Sequence, residues 1–241
     1  MKNSSLIPSG PAEVGHTHAD VSGGALRASV FGAMDGLVTN IALVAGVGAA
    51  GAAPRYIVLT GLAGLVAGAF SMAMGEYTSV RTQNEQVDRE WVKESAEIQE
   101  NAAAERHELA AMFATMGMTE TTAAAAALEI HRDAEQAALV HVTQELGLDP
   151  QDKPSPMVAA VSSLVTFSLG AIIPILPFLL GFPSLLAGLA VGGLGLFVAG
   201  AIASRATTLP WWLGAGRQLA FGAFAAGATY LIGLAMGVSV G

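Results

Sequence analysis

Cysteine is absent from the 241-residue chain. Disulfides and thiolate metal sites are thereby excluded, and nothing follows about the redox compartment. Any metal must meet oxygen, imidazole or thioether. Charge is the second scarcity. Charged residues make up 12% of the chain and hydrophobic ones 53%, whereas a soluble domain carries roughly 25% charged residues. Such a chain needs a solvent other than water. The N-terminus also lacks the basic, then apolar, then small-residue order of a cleavable signal. Lys2 is followed by Pro8, Gly10 and Pro11, and residues 1–27 read as a short flexible tail.

The charges that are present are segregated. Ser79 to Pro154 holds fifteen of the nineteen acids and six of the eleven bases, a net of −9, while the remainder sums to +1. That stretch must be wet. Around it lie five apolar runs, near Ala28 to Ala50, Tyr56 to Gly75, Met157 to Leu180, Ser184 to Ala203 and Leu219 to Val240, each close to the ~20 residues that cross a bilayer. The expected fold is an all-α membrane protein of five transmembrane helices with a helical insert between spans 2 and 3. Its division is 1–27 tail, 28–76 spans 1 and 2, 77–155 insert, and 156–241 spans 3 to 5. Gly32, Gly36, Gly46, Gly61, Gly64 and Gly68 fall inside the first two runs, and small residues at such spacings let helices approach closely in lipid.

Orientation follows from the bases. With a cytosolic N-terminus, Lys2, Arg27, Arg81, Arg89, Lys93, Arg106, Arg132, Lys153, Arg205 and Arg217 fall inside and only Arg55 outside, a strong positive-inside bias. The insert is then cytosolic. It reads as three helices: span 2 continued to about Glu100, a second from about Ala103 to Met116 ended by Gly117, and a third capped by Thr119 and ending at Gly147 before Asp149-Pro150.

Within the first run stands Asp35, where an unpaired carboxylate costs about 2.5–3.5 kcal/mol. Met72 lies in the second run and Glu76 near its cytosolic end, so that two carboxylates and a thioether are expected to line one path. The plainer alternative is a neutral, hydrogen-bonded Asp35 and a methionine that fills a gap. Asn40 is equally a ligand or an interhelical hydrogen-bond partner. Pro174 and Pro177 in the third run predict a kink or break, which transporters use near the midplane but structural helices also tolerate.

On the insert, Glu94 and Glu97, Glu105 and Glu108, and His141 and Glu145 stand three or four residues apart and project pairwise from helical faces. If the faces converge, five carboxylates and one imidazole suit Fe²⁺, Mn²⁺ or Zn²⁺ and not Cu⁺. Glutamates at these spacings are also ordinary on a solvated helix, and the spacing alone favours that reading. His107, His131 and the tail residues His16, His18 and Asp20 carry weaker signals.

Four segments carry a family resemblance: Phe31-Gly-Ala-Met-Asp-Gly-Leu-Val, Gly68-Ala-Phe-Ser-Met-Ala-Met-Gly-Glu-Tyr, Phe167-Ser-Leu-Gly-Ala-Ile-Ile-Pro-Ile-Leu-Pro, and Arg217-Gln-Leu-Ala-Phe-Gly-Ala-Phe-Ala-Ala-Gly-Ala-Thr-Tyr-Leu-Ile-Gly. From about Ser22 onward the chain resembles the vacuolar iron transporter family. The resemblance implies five spans, a homodimer, a cytosolic metal-binding domain, and Fe²⁺ or Mn²⁺ moved out of the cytosol in exchange for protons. It implies transport roles for Asp35 and Met72 and metal binding at Glu94, Glu97, Glu105, Glu108 and Glu145. Two departures stand out. His141 replaces a methionine common in the family and is titratable near neutrality, and Gly64 stands where some members carry a glutamate.

The function expected is proton-coupled export of divalent iron or manganese, with zinc and cobalt as further candidate ions and no permanently bound cofactor. The alternative is a membrane-anchored metal sensor or buffer that does not transport. An enzyme is not expected: ferritin-like oxidases use Glu-x-x-His on two helices, and the insert has none. The expected partners are the bilayer, protons, divalent cations and a second copy of the chain, but not nucleic acid. A bacterial inner membrane is the expected location and a vacuolar membrane the alternative.

Overall fold

The computed structural model describes residues 24–147 and 150–238. His16, His18 and Asp20 of the tail, and Asp149, lie outside the described residues. In chain order the helices are α1 (Gly24–Ala49), α2 (Pro54–Glu100), α3 (Ala102–Thr115), α4 (Glu120–Ile130), α5 (Ala134–Leu146), α6 (Pro156–Ile172), α7 (Leu176–Leu179), α8 (Leu185–Ala203) and α9 (Trp211–Val238). Five segments, namely α1, α2, α6 continued through α7, α8 and α9, are long and apolar enough to cross a bilayer. The protein is an integral membrane protein.

Three boundaries differ from those expected. α1 takes in Gly24 to Arg27, inside the stretch read as tail. α9 begins at Trp211 and not near Leu219, because Arg217 and Gln218 interrupt the apolar run without interrupting the helix; Gln218 is itself buried. The helix expected from Thr119 to Gly147 is two. Thr119 caps α4, which ends at Ile130, and Asp133 then caps α5 by accepting from the backbone N–H groups of Glu135 and Gln136. An aspartate that satisfies orphan amides competes with continuation of the preceding helix.

In the third span Pro174 removes a backbone donor. α6 accordingly gives way to a 3-10 turn at Ile173–Ile175, and α7 follows with Pro177 in its first turn.

The spans pack by backbone approach. A Cβ on Gly36 would stand 2.2 Å from the Phe167 carbonyl oxygen, and one on Gly170 would stand 2.2 Å from that of Ala33. α1 and α6 therefore touch through their main chains. Gly68 makes room for the Phe167 ring, and Gly46 faces Thr229 of α9, whose hydroxyl donates to the Ala42 carbonyl at 2.6 Å.

The insert has its own core. Leu109 and Phe113 of α3 pack with Ala123 and Ala127 of α4, and Ile98 of α2 packs with Ala137 and Ala138 of α5. α2 runs without interruption from the membrane into this core, so the insert is built directly on a span.

Candidate metal centre and membrane carboxylate

Helical spacing carries the core packing over to the polar residues. Glu94 lies one turn before Ile98, Glu105 one turn before Leu109, and His141 one turn after Ala137. Burying Ile98, Leu109 and Ala137 therefore draws Glu94, Glu105 and His141 into the same interior. All three are buried, and one ligand atom from each lies within 4.8 Å of the others.

His141 is 0% exposed. Its Nδ1 stands 3.1 Å from Glu94 Oε1 and 3.8 Å from both Glu105 Oε2 and Glu145 Oε1. Yet neither ring nitrogen of His141 nor Oε1 of Glu94 makes a hydrogen bond. Buried polar atoms without partners are uncommon and costly. Here three of them, all metal-ligand types, share one pocket. A divalent cation held by His141 Nδ1 and Glu94 Oε1 would satisfy two of them at once.

Electrostatics agree with that reading. Burial pushes the Glu94 carboxyl up to about 7, and the carboxylates of Glu145, Glu105, Glu97 and Glu108 add to the rise. Removing the anion's water and crowding it with like charge both favour its protonated form. A cation in the pocket would reverse both effects.

The remaining sequence candidates are more peripheral. Glu145 is exposed at the rim, and Glu108 is exposed. Glu97 is half-buried, with Lys93 Nζ 3.9 Å away. One nearby group carried little sequence signal: His131, at the end of α4, stacks edge-on to His141 with ring centroids 5.3 Å apart. It lies on a different helix from His141, so no local spacing pairs the two.

In the membrane, Asp35 is half-buried and lines a cavity of about 310 Å³ with Phe31, Met34, Val38, Gln218 and Phe221. Gln218 was not a sequence candidate, since it stands more than 180 residues away on α9. Met72 is elsewhere, packed with Leu65 and Leu164 against Ala69, Phe167 and Ala171 between α2 and α6. Within one chain, Asp35 and Met72 thus line different interfaces.

Asn40 is fully buried. Its Nδ2 donates to the Gly61 carbonyl at 3.1 Å and to the Ala171 carbonyl at 2.5 Å. It ties α1 to α2 and α6. Its Oδ1 has no partner, and a Cβ on Gly64 would stand 3.1 Å from it. Glu76 is buried and ion-paired with Arg27 at 2.9 Å, which joins the start of α1 to α2. A cation passing Glu76 would have to compete with that guanidinium.

Known proteins resemble this chain along most of its length. A profile of the VIT family matches residues 26–234. A vacuolar iron transporter of Acanthamoeba castellanii is 34% identical over 169 residues, which is 69% of this chain and 60% of that protein. Vacuolar iron transporter homolog 1 of Oryza sativa subsp. japonica is 36% identical over 63% of this chain and 46% of its own. Vacuolar iron transporter 1 of the same plant is 27% identical over 89% of this chain and 88% of its own. The first two alignments therefore span less than two thirds of the relatives' lengths, whereas the third is nearly end to end. With the profile covering both membrane parts and the insert between them, the chain belongs to the VIT family.

Proposed function

We propose that this protein is a transporter and not an enzyme, and that it exports divalent iron or manganese from the cytosol in exchange for protons. The observation that carries the proposal is Asp35, a carboxylate within an apolar span that lines a cavity whose other walls are apolar except for Gln218. A carboxylate in that setting is expensive and functional by default. Family membership and the relatives' names support a metal ion as cargo.

In this reading the insert lies in the cytosol and gathers the cation on Glu94, Glu105 and His141, with Glu145, Glu97 and Glu108 supplying negative potential around them. Glu76 passes the ion inward, exchanging Arg27 for metal. Asp35 and Met72 then bind it where the first two spans of two subunits meet. Coupling needs no separate machinery, since a carboxylate that holds either a proton or a cation exchanges one for the other. Asn40 acts as a helix tie, because both of its amide hydrogens are already engaged. Lipid surrounds the spans of the proposed homodimer, in a bacterial inner membrane or, as in the relatives' names, a vacuolar one.

The second reading is a membrane-anchored metal sensor or buffer. It is favoured by one feature: the three-residue cluster of the insert is complete without any membrane residue.

Purified protein in proteoliposomes with an imposed pH gradient separates the two. Fe²⁺- or Mn²⁺-dependent proton movement that is lost in Asp35→Ala is expected. Metal binding with no flux in the wild type sinks the transport reading and leaves the sensor.

A further inference from the structure

We propose that His131 is a further metal ligand of the insert, its Nε2 joining His141 to make a two-imidazole donor set for a borderline transition-metal dication. The proposal rests on the reading of the insert as a cation-collecting site and names which ions it collects.

The hydrogen bonding of His131 fixes its chemistry. Nδ1 lies 2.9 Å from the Ala127 carbonyl oxygen, and a carbonyl only accepts. Nδ1 therefore carries the hydrogen, and in the neutral ring the lone pair sits on Nε2. That Nε2 is buried and without a hydrogen-bond partner. Metal-ligating histidines characteristically donate their other ring N–H to a carbonyl or carboxylate, which sets the tautomer and raises the basicity of the ligating nitrogen. His131 is already in that state.

Position completes the case. The ring is 5.3 Å from that of His141 between centroids, at 85°. It stands just outside the tight group of Glu94, Glu105 and His141. It also sits at the junction between α4 and α5, where His131, Arg132 and Asp133 separate two capped helices. Two imidazoles with Glu94 and Glu105 form a four-donor N₂O₂ set. Such a set suits Zn²⁺, Fe²⁺ or Co²⁺ and discriminates against Mn²⁺, which prefers an oxygen-rich shell.

X-ray absorption fine structure on the full-length protein in detergent, loaded with one equivalent of Zn²⁺, counts imidazoles directly through their multiple scattering. Two per zinc are expected in the wild type and one in His131→Phe. The Zn²⁺ dissociation constant should rise about tenfold or more in that variant, with Mn²⁺ affinity nearly unchanged. A single imidazole in the wild type overturns the proposal, and that measurement does not depend on how the variant folds. A wild-type protein that binds no Zn²⁺, Fe²⁺ or Mn²⁺ overturns the collecting-site reading itself and this proposal with it.

Discussion

Glu94 gives the most quantitative test of the metal centre. Its carboxyl is raised from 4.5 to about 7 in the metal-free protein, chiefly by burial and then by its acidic neighbours. A cation must displace that proton before the carboxylate can ligate. Zn²⁺ affinity should then be near its ceiling about one unit above pH 7, fall to about half at pH 7, and drop about tenfold for each further unit of acidification. Metal-free stability runs the other way. Because the folded value lies above the unfolded one, the native state holds more protons between about pH 4.5 and 7. The contribution of Glu94 is fully present below that window and is lost as pH rises through it, by at most about 3 kcal/mol. Bound cation reverses the slope, since binding to the native state alone adds stability that grows with affinity. Calorimetric titration with Zn²⁺ from pH 6 to 8, paired with thermal unfolding with and without metal, reads both slopes. Glu94→Gln should flatten the metal-free profile in this window and weaken binding. An affinity that is flat across the range, or a pH slope undiminished in Glu94→Gln, refutes the reasoning.

Three further substitutions probe the membrane half. Gly36→Val should destabilise the protein by about 1–3 kcal/mol, since a Cβ 2.2 Å from the Phe167 carbonyl forces main chains apart. Gly75→Ala, with nothing within 4 Å of its Cβ, should leave the unfolding temperature in detergent unchanged. Asn40→Leu removes two hydrogen bonds to backbone carbonyls and should cost about 1–2 kcal/mol on membrane-protein scales. Flux per folded molecule should be retained, and a loss of flux without a loss of stability would instead make Asn40 a ligand.

The spans were legible because a bilayer imposes a length and a composition that a sequence displays openly. What hid the true start of α9 was polarity: Arg217 and Gln218 break the hydropathy without breaking the helix, and only burial of Gln218 beside Asp35 explains why a polar residue is tolerated there. The insert's helices were legible as far as caps announced them. Thr119 is visible as a cap, whereas Asp133 follows an alanine-rich stretch whose composition predicts an unbroken helix.

For the metal centre, spacing between acids was the weaker signal, and spacing between acids and apolar residues was the stronger. The buried stripe of α2 passes through Val80, Val87, Glu94 and Ile98, and that of α3 through Glu105, Leu109 and Phe113. Glu94 and Glu105 sit where a core residue belongs, whereas Glu97 and Glu108 sit off those stripes. A glutamate on a hydrophobic stripe must be desolvated, protonated, paired or metallated. The same logic reaches the membrane. Asp35 is half-buried in a single chain, flanked by Phe31 and Phe221 that are each 58% exposed. A carboxylate left facing lipid there costs about 2.5–3.5 kcal/mol, so the exposed aromatic rim cannot be all that Asp35 meets; water, a cation or a further polar partner must reach it there.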